Sequence, residues 1–326
     1  MKYISSYNGW SYEYDSESNQ YNIIPNEKIE TPPTLFKYYP LSEYSVDALI
    51  HSYLYASHPN QLNDWFDCCP EMIVYDNPEI IRRQLTEIEY NCSQLSDDEL
   101  IKSDYILQGV RRGLWYTMYS KIGIVSFTKD PWNLLMWSHY SQNQGICVEY
   151  DYSQFPFDHY GPFPINYQPA IQEIHLSDTD FRVAVAMQFN IKHERWKYEN
   201  EWRIIAKAPA GLDMELFGEP EIEKYGGAER KFRYPVSAIK NIGLGFYFFR
   251  PEELIFSDNY QNAIINLNSK RDGYELRKKL LEWVLCHKII INLALPQGID
   301  AVHFCTANLE KDGDRILLNI LDNLID

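Results

Sequence analysis

The sequence predicts an α+β protein in which antiparallel sheets form a central cleft, with a helical insertion and C-terminal helices. Short strand-like segments are interleaved with helical ones, but without the regular strand–helix–strand alternation of parallel sheets. The chain has 326 residues, of which 45% are hydrophobic, enough to bury a sizeable core. We therefore expect a single α+β domain over residues 34–310, preceded by an N-terminal arm (1–33) and followed by a C-terminal helix (311–326).

The N-terminal segment is polar and rich in tyrosine, and it ends in Thr31-Pro32-Pro33. This composition predicts an ordered arm rather than part of the core. After the arm, Leu35–Tyr39 has strand composition, and residues 43–51 carry apolar side chains at helical spacing. The domain therefore begins near Thr34.

A helical insertion is predicted over residues 78–121. It consists of two consecutive helices, the second of which opens with Ser96 and Glu99 at the spacing of a capping box. The periodicity after the insertion predicts strands at 123–128, 145–150, 238–245 and 288–295, and helices at 132–140, 177–193 (capped by Ser177), 272–287 and 314–325. A Gly- and Glu-rich loop is expected at 209–231.

Charge and composition exclude several classes of protein. With 30 Lys and Arg against 46 Asp and Glu, the net charge of -16 opposes extensive contact with nucleic acid. No run of apolar residues reaches the length of a membrane span or a signal peptide, so we expect no membrane contact and a cytoplasmic location. The six cysteines and eight histidines form no metal-binding motif, and no metal is expected.

The most informative segment is Trp196–Ile205, in which Glu199, Glu201 and Arg203 are spaced by two. If the segment is extended, these three side chains project from one face of a strand. Charged groups beside apolar residues lose hydration unless they are paired or used in chemistry. The pattern therefore indicates either a catalytic carboxylate pair or a strand with Glu–Arg cross-pairs on its solvent face.

Several blocks in order resemble the bacterial domain of unknown function numbered 2971. They extend over roughly residues 34–245 and are Leu35–Tyr39, Asn63-Asp64-Trp65-Phe66-Asp67, Val125-Ser126-Phe127, Leu135–Tyr140, Gly145–Asp151, Trp196–Ile205 and Ile239–Gly243. In that family the second block usually reads Asn-Asp-Pro-Phe, and Trp65 stands here at the Pro position. The family itself implies no reaction.

The order of the blocks is also similar, more remotely, to that of ADP-ribosyltransferase folds. Glu199-Asn200-Glu201 is similar to their E/Q-x-E motif, which opens a late strand. This resemblance implies cleavage of the nicotinamide–ribose bond of NAD, with Glu201 stabilising the oxocarbenium-like centre and Glu199 orienting or deprotonating the acceptor. It implies NAD contacts from Lys37, Tyr38, Asn63, Ser126, Trp137, His139, Tyr140 and Arg203.

Three readings of function remain open at this point. The first is the NAD-cleaving enzyme, which by analogy fits a toxin-like effector of antiphage defence. The second is a metal-dependent nuclease or hydrolase that holds magnesium with Asp64, Asp67, Glu199 and Glu201. The third is a non-enzymatic module that senses a nucleotide-like small molecule or binds a protein partner. The acceptor of the first reaction cannot be read from the residues.

Overall fold

The computed structural model describes residues 1–87, 89–117, 122–207, 230–258, 261–297 and 301–322. The helices are α1 (Glu43–Ile50), α2 (Pro78–Glu87), α3 (Asp97–Lys102), α4 (Asp104–Thr117), α5 (Leu134–Ser141), α6 (Phe181–Asn190) and α7 (Tyr274–His287). The strands are β1 (Lys2–Tyr7), β2 (Trp10–Asp15), β3 (Gln20–Pro25), β4 (Leu35–Tyr39), β5 (Tyr53–Tyr55), β6 (Ile73–Val74), β7 (Ile122–Thr128), β8 (Ile146–Tyr150), β9 (His159–Pro164), β10 (Asn166–Gln168), β11 (Ile174–His175), β12 (Ile191–His193), β13 (Glu201–Lys207), β14 (Lys231–Arg233), β15 (Ile239–Leu244), β16 (Leu254–Phe256), β17 (Asn262–Ile265), β18 (Ile290–Gln297), β19 (Ala301–Asp312) and β20 (Arg315–Asp322).

The predicted α+β class is confirmed, because helices and mainly antiparallel strands are mixed along the chain. The chain divides into two compact units. Unit 1 comprises Met1–Thr31, Tyr55–Ser126 and Phe157–Phe232, and unit 2 comprises Pro32–Leu54, Phe127–Pro156 and Arg233–Asp326. The loop predicted at 209–231 lies, apart from its last two residues, outside the described residues.

The N-terminal segment is part of the core of unit 1, so the predicted arm (1–33) is wrong over β1–β3. These strands form an antiparallel sheet in which Trp10, Tyr12 and Tyr14 of β2 alternate into the core. The Tyr12 hydroxyl donates a hydrogen bond of 2.8 Å to Asn190 at the end of α6. A buried hydroxyl needs such a partner, and this bond fixes the sheet against the helix.

Over the described part of the helical insertion of unit 1 there are three helices where two were predicted, because the chain breaks at Ser103, between α3 and α4. The capping box of Ser96 and Glu99 at the start of α3 is confirmed. Helix α6 is shorter than predicted and is capped by Asp180, whose carboxylate accepts from the amide of Arg182, rather than by Ser177. All residues of α6 except Arg182 are buried. Strand β13 pairs antiparallel with β9 in the same unit.

Unit 2 contains a sheet with strand order β16-β17-β20-β19-β18-β15-β8-β4. Strand β15 pairs parallel with β18 and antiparallel with β8. The predicted helix at 314–325 is wrong, because β20 pairs antiparallel with β19 and β17 over this segment. The predicted helix at 272–287 is confirmed as α7, which packs on α1 and β19. Among the described residues, no helix has the length and apolar character needed to cross a membrane.

Candidate functional site

Five charged side chains of unit 1 converge in its interior and form a buried ion-pair network. Its members are Asp67, Lys192, Glu199, Glu201 and Arg203. No member of the network is more than 4% exposed, and Arg203 is fully buried. The network carries three carboxylates and two cations, which leaves a net charge of -1 when all are ionised.

Arg203 is the centre of the network and lies on β13. Its Nε and Nη2 donate to Oε1 of Glu201 at 3.0 and 2.8 Å. Its Nη1 and Nη2 donate to the two carboxylate oxygens of Asp67 at 3.0 and 2.8 Å, in the bidentate geometry that suits a guanidinium. Nη1 also donates to the backbone carbonyl of Phe189 at 2.8 Å. The guanidinium therefore connects strand β13 to the loop that ends at Asp67.

Lys192 on β12 holds the two glutamates together. Its Nζ donates to Oε2 of Glu199 at 2.6 Å and to Oε2 of Glu201 at 3.0 Å, and lies 3.6 Å from Oδ2 of Asp67. The same ammonium lies 5.1 Å from the centre of the Trp196 ring, within the range of a cation–π interaction. Each carboxylate in the network therefore has a cation in contact.

The local backbone differs from the predicted continuous strand. Residues Glu194–Glu199 form a short 3-10 helix, Asn200 takes the left-handed conformation with φ of 45°, and β13 begins only at Glu201. Every residue from Glu201 to Ala206 is buried, so β13 has no solvent face. The expectation that the three charged side chains share one face of an extended segment is therefore wrong for Glu199, whereas Glu201 and Arg203 both lie on β13, two residues apart, and bond each other. The ammonium of Lys192 brings Glu199 to Glu201 instead.

The electrostatic environment keeps the network ionised. Burial alone would raise the pKa of Glu201, but the charges of Arg203 and Lys192 and the hydrogen bonds of Ser126 and Lys192 lower it to about 2. Burial would lower the pKa of Lys192, yet attraction to the three carboxylates raises it. Burial and the neighbouring Asp67 carboxylate raise the pKa of Cys68 well above its usual range, so it remains a thiol.

The hydrogen-bonding capacity of Glu201 is filled. A carboxylate offers about four lone-pair positions. Glu201 accepts two hydrogen bonds from Arg203, one from Lys192 and one from the side chain of Ser126. A carboxylate in this state is well suited to hold a fold together, and it has no position left for a ribose hydroxyl.

The structure brings four of the predicted site residues together in unit 1, namely Ser126, Glu199, Glu201 and Arg203. Asn63 is exposed on the loop that leads to Asp67. Lys192 was not predicted from the sequence, although a cation two residues after the end of the mostly apolar helix α6 was a visible signal. Asp67 was considered only as a metal ligand. Within the described residues, no group of three or more His, Cys, Asp or Glu side chains is arranged to hold a metal.

The other predicted site residues lie in unit 2. Tyr38 on β4 and Trp137 on α5 are buried edge to face, with ring centres 5.1 Å apart. The Lys37 ammonium lies 5.7 Å from the centre of the Tyr39 ring. Two further residues of α5 complete the set: His139 is exposed and Tyr140 is partly buried. Contact of these residues with NAD stays a prediction.

A second feature of unit 1 lies directly before Asp67. Trp65 is 86% exposed and Phe66 is 59% exposed, although both belong to residue types that normally pack inside. The backbone around them is fixed, because Asp64 accepts a hydrogen bond from the Phe66 amide at 3.1 Å and Asp67 is bound by Arg203. The exposure of these two aromatic residues to solvent was not predicted from the sequence.

Comparison with known proteins now adds one finding. Residues 136–204 match the model of a family described as "Protein of unknown function (DUF2971)". The matched segment includes Lys192, Glu199, Glu201 and Arg203, and it lies within the range of the predicted resemblance. Searches of curated proteins and of solved structures returned no match. None of these comparisons supports the more remote resemblance to ADP-ribosyltransferases.

Proposed function

We propose that the chain is a non-enzymatic binding module that recognises a protein partner through a recognition loop, residues 63–67. The observation that carries the proposal is the exposure of Trp65 and Phe66 beside a residue, Asp67, that is locked into the buried ion-pair network. In this proposal the network is the support of the loop rather than a reaction centre, which agrees with the filled hydrogen-bonding capacity of Glu201.

The recognition loop is held on both sides of its two aromatic residues. Across them, the backbone carbonyl of Asp64 accepts a hydrogen bond of 3.1 Å from the Asp67 amide. After them, Arg203 binds both carboxylate oxygens of Asp67, and Gln188 donates a hydrogen bond of 2.6 Å to the carbonyl of Cys69. A loop that is ordered before binding loses less conformational entropy when a partner arrives.

The chemistry of the loop favours a protein partner. Exposed aromatic side chains that insert into a pocket of a partner commonly act as hot spots, whose truncation costs about 2 kcal/mol or more. The net charge of -16 favours a partner whose contact surface carries basic residues at the rim. We therefore expect a partner with an apolar pocket surrounded by Lys and Arg.

Site-specific photocrosslinking in the native host tests this proposal. A photoreactive phenylalanine analogue at position 66 should form a discrete protein adduct. The same analogue at Tyr105, an exposed residue of α4 in the same unit, is the matched control and should not. Trp65→Ala should reduce the adduct at 66 about thirtyfold or more, the factor that corresponds to a loss of about 2 kcal/mol. Equal adducts at positions 66 and 105, or no effect of Trp65→Ala, would contradict the proposal.

A second candidate is an ADP-ribosyltransferase-like enzyme that cleaves NAD, and one observation favours it. The Ser126 side chain donates a hydrogen bond to Glu201, which brings together the serine and the glutamate that the resemblance pairs. Release of nicotinamide from NAD should then occur and be lost in Ser126→Ala, a change that leaves the ion pairs of Lys192 and Arg203 in place. Growth arrest on expression, absent in the same variant, would extend this candidate to a toxin of antiphage defence.

A separate assay, hydrolysis of nucleic acid or of a phosphoester with and without magnesium, tests the remaining alternative. A metal-dependent hydrolase would act on a nucleic-acid or phosphoester substrate only when magnesium is present. In the structure, the carboxylates of Asp67, Glu199 and Glu201 are bound to Lys192 and Arg203. A magnesium ion would have to displace these cations, so we expect no magnesium-dependent hydrolysis from the wild-type chain.

A further inference from the structure

A cationic cavity in unit 2 has no part in the function proposed above. Its volume is about 540 Å³, and its walls include Tyr247, Arg250, Asn268, Lys270, Arg271 and Asp272. Cavities of roughly 300–1,000 Å³ are the usual size of small-molecule sites. A concentration of cations at one cavity is notable in a chain whose net charge is -16.

A rigid framework positions the wall of this cavity. Arg271 donates from Nη1 to Oε2 of the buried Glu253 at 2.6 Å and to the carbonyl of Phe248 at 3.2 Å, and it also donates to the carbonyl of Tyr247. The amides of Arg250 and Asn268 donate to the same carboxylate at 2.9 Å each. One carboxylate therefore fixes three of the wall residues in place.

Arg277 on α7 adds an unbalanced charge behind this framework. It is fully buried, and none of its three guanidinium nitrogens has a hydrogen-bond acceptor among the described residues. Its nearest ion-pair contact is Oε1 of Glu253, at 3.8 Å from Nη2. Burial lowers the pKa of Arg277, and the charges of Arg271 and Arg250 lower it further, although Glu253 raises it. An arginine stays charged even so, and a buried charge without hydrogen bonds is costly.

The local charge balance favours an anion. The cationic groups are Arg250, Lys270, Arg271 and Arg277, and the carboxylates are Glu252, Glu253 and Asp272. This leaves one excess positive charge, and Glu252 contacts Arg250 only at 3.9 Å, with both side chains largely exposed. Bringing like charges together destabilises the protein unless an anion compensates them. A phosphate group is a good fit, because guanidinium and ammonium groups donate strong hydrogen bonds to its oxygens.

We propose that this cavity of unit 2 binds a phosphate-bearing small molecule of the nucleoside diphosphate class. Arg250 and Lys270 contact the phosphates, and the Tyr247 ring, which is 64% exposed at the wall, stacks on the base. The size of the cavity accommodates a base in addition to the phosphates. The site is separate from the recognition loop of unit 1 and does not depend on the function proposed for it.

Calorimetric titration of the full chain with ADP and with pyrophosphate tests this inference. Lys270→Ala and Arg250→Ala change side chains at the cavity wall, away from the buried Glu253 framework. Each should weaken ADP binding by roughly tenfold or more, the loss expected for one charge-assisted hydrogen bond. Lys279→Ala removes an exposed cation from α7 that is not part of the cavity wall and is the matched control. Added salt should weaken binding, because it screens the cations.

Several results would overturn the proposal. Absence of heat with both ADP and pyrophosphate at millimolar concentration is one, and an effect of Lys279→Ala equal to that of Lys270→Ala is another. ADP should bind more tightly than pyrophosphate, and Tyr247→Ala should remove that difference. Equal affinities of the wild-type chain for the two compounds would overturn the assignment to a nucleoside.

Discussion

Replacing Arg203 by methionine should strongly destabilise unit 1. The substitution keeps an unbranched side chain of moderate length but removes the four hydrogen bonds that the guanidinium donates to Asp67 and Glu201. The network then holds three carboxylates and one cation, so its net charge changes from -1 to -2 at a place where no member is more than 4% exposed. Removing one partner of a buried ion pair costs about 3–5 kcal/mol, because the other partner stays buried and uncompensated.

The lowered pKa of Glu201 gives a similar estimate of the free energy that the network contributes to stability. Its value falls from the ordinary 4.5 to about 2 in the folded protein. A shift of this size corresponds to about 3 kcal/mol of stability, present above the unfolded pKa and lost as the pH falls through the folded pKa. Arg203 is the largest of the charges that lower this pKa, so its removal forfeits much of that contribution. Since whole domains are stable by about 5–15 kcal/mol, Arg203→Met should be folded but marginal.

Urea denaturation at several pH values measures the effect. At pH 7 we expect Arg203→Met to lose about 3–5 kcal/mol in the free energy of unfolding. The deficit should shrink between pH 7 and pH 4, because Glu201 binds a proton more readily in the folded variant once Arg203 is gone, whereas wild-type Glu201 stays ionised. Arg195→Met changes an exposed arginine of the same unit and should stay within about 0.5 kcal/mol of wild type. A loss below about 1 kcal/mol, or a deficit that does not depend on pH, would refute the reasoning.

Three further predictions concern stability and can be measured by thermal or urea denaturation. Arg277→Met should leave stability unchanged or raise it by about 1–3 kcal/mol, because an apolar side chain replaces a buried charge without hydrogen bonds; a clear loss would show that its weak contact with Glu253 is worth more than its desolvation. Gly145→Ala should cost about 3 kcal/mol, since a Cβ there would lie 2.0 Å from the backbone carbonyl oxygen of Tyr39. Gly109→Ala in α4 meets no atom within 4 Å and should stabilise by about 0.5–1 kcal/mol; a loss in this variant would mean that the helix is not populated as described.

Elements with strong local signals were predictable from the sequence. Helix α3 begins at the expected capping box, because Ser96 and Glu99 satisfy each other's backbone amides without help from distant residues. Helix α7 forms where a long amphipathic pattern is present. In both cases the information lies within one or two turns of the chain.

The elements that were predicted wrongly depend on partners far away in the chain, or have an apolar pattern that fits both a helix and a strand. The N-terminal segment alternates from Trp10 to Tyr14 as a strand should, but its place in the core depends on α6, whose Asn190 is 178 residues away from Tyr12. The C-terminal segment carries adjacent apolar residues, which fit a helix as well as a strand. It forms a strand because it pairs with β19. Neither the contact of β2 with α6 nor the pairing of β20 with β19 can be read from the local sequence pattern.

The candidate site shows why spacing alone is a weak guide to chemistry. Glu199 and Glu201 are spaced by two, yet Asn200 turns the chain between them, and Lys192 between their Oε2 atoms is what holds them together. Arg203 then satisfies Glu201 together with an aspartate 136 residues away in the chain. Any carboxylate pair buried to this extent must acquire cations or protons, because an isolated buried charge is too costly. Those cations occupy the lone pairs that a substrate would need. We therefore propose that this arrangement is an anchor, and that the binding surface of unit 1 lies beside it, on the exposed aromatic loop that the anchor holds.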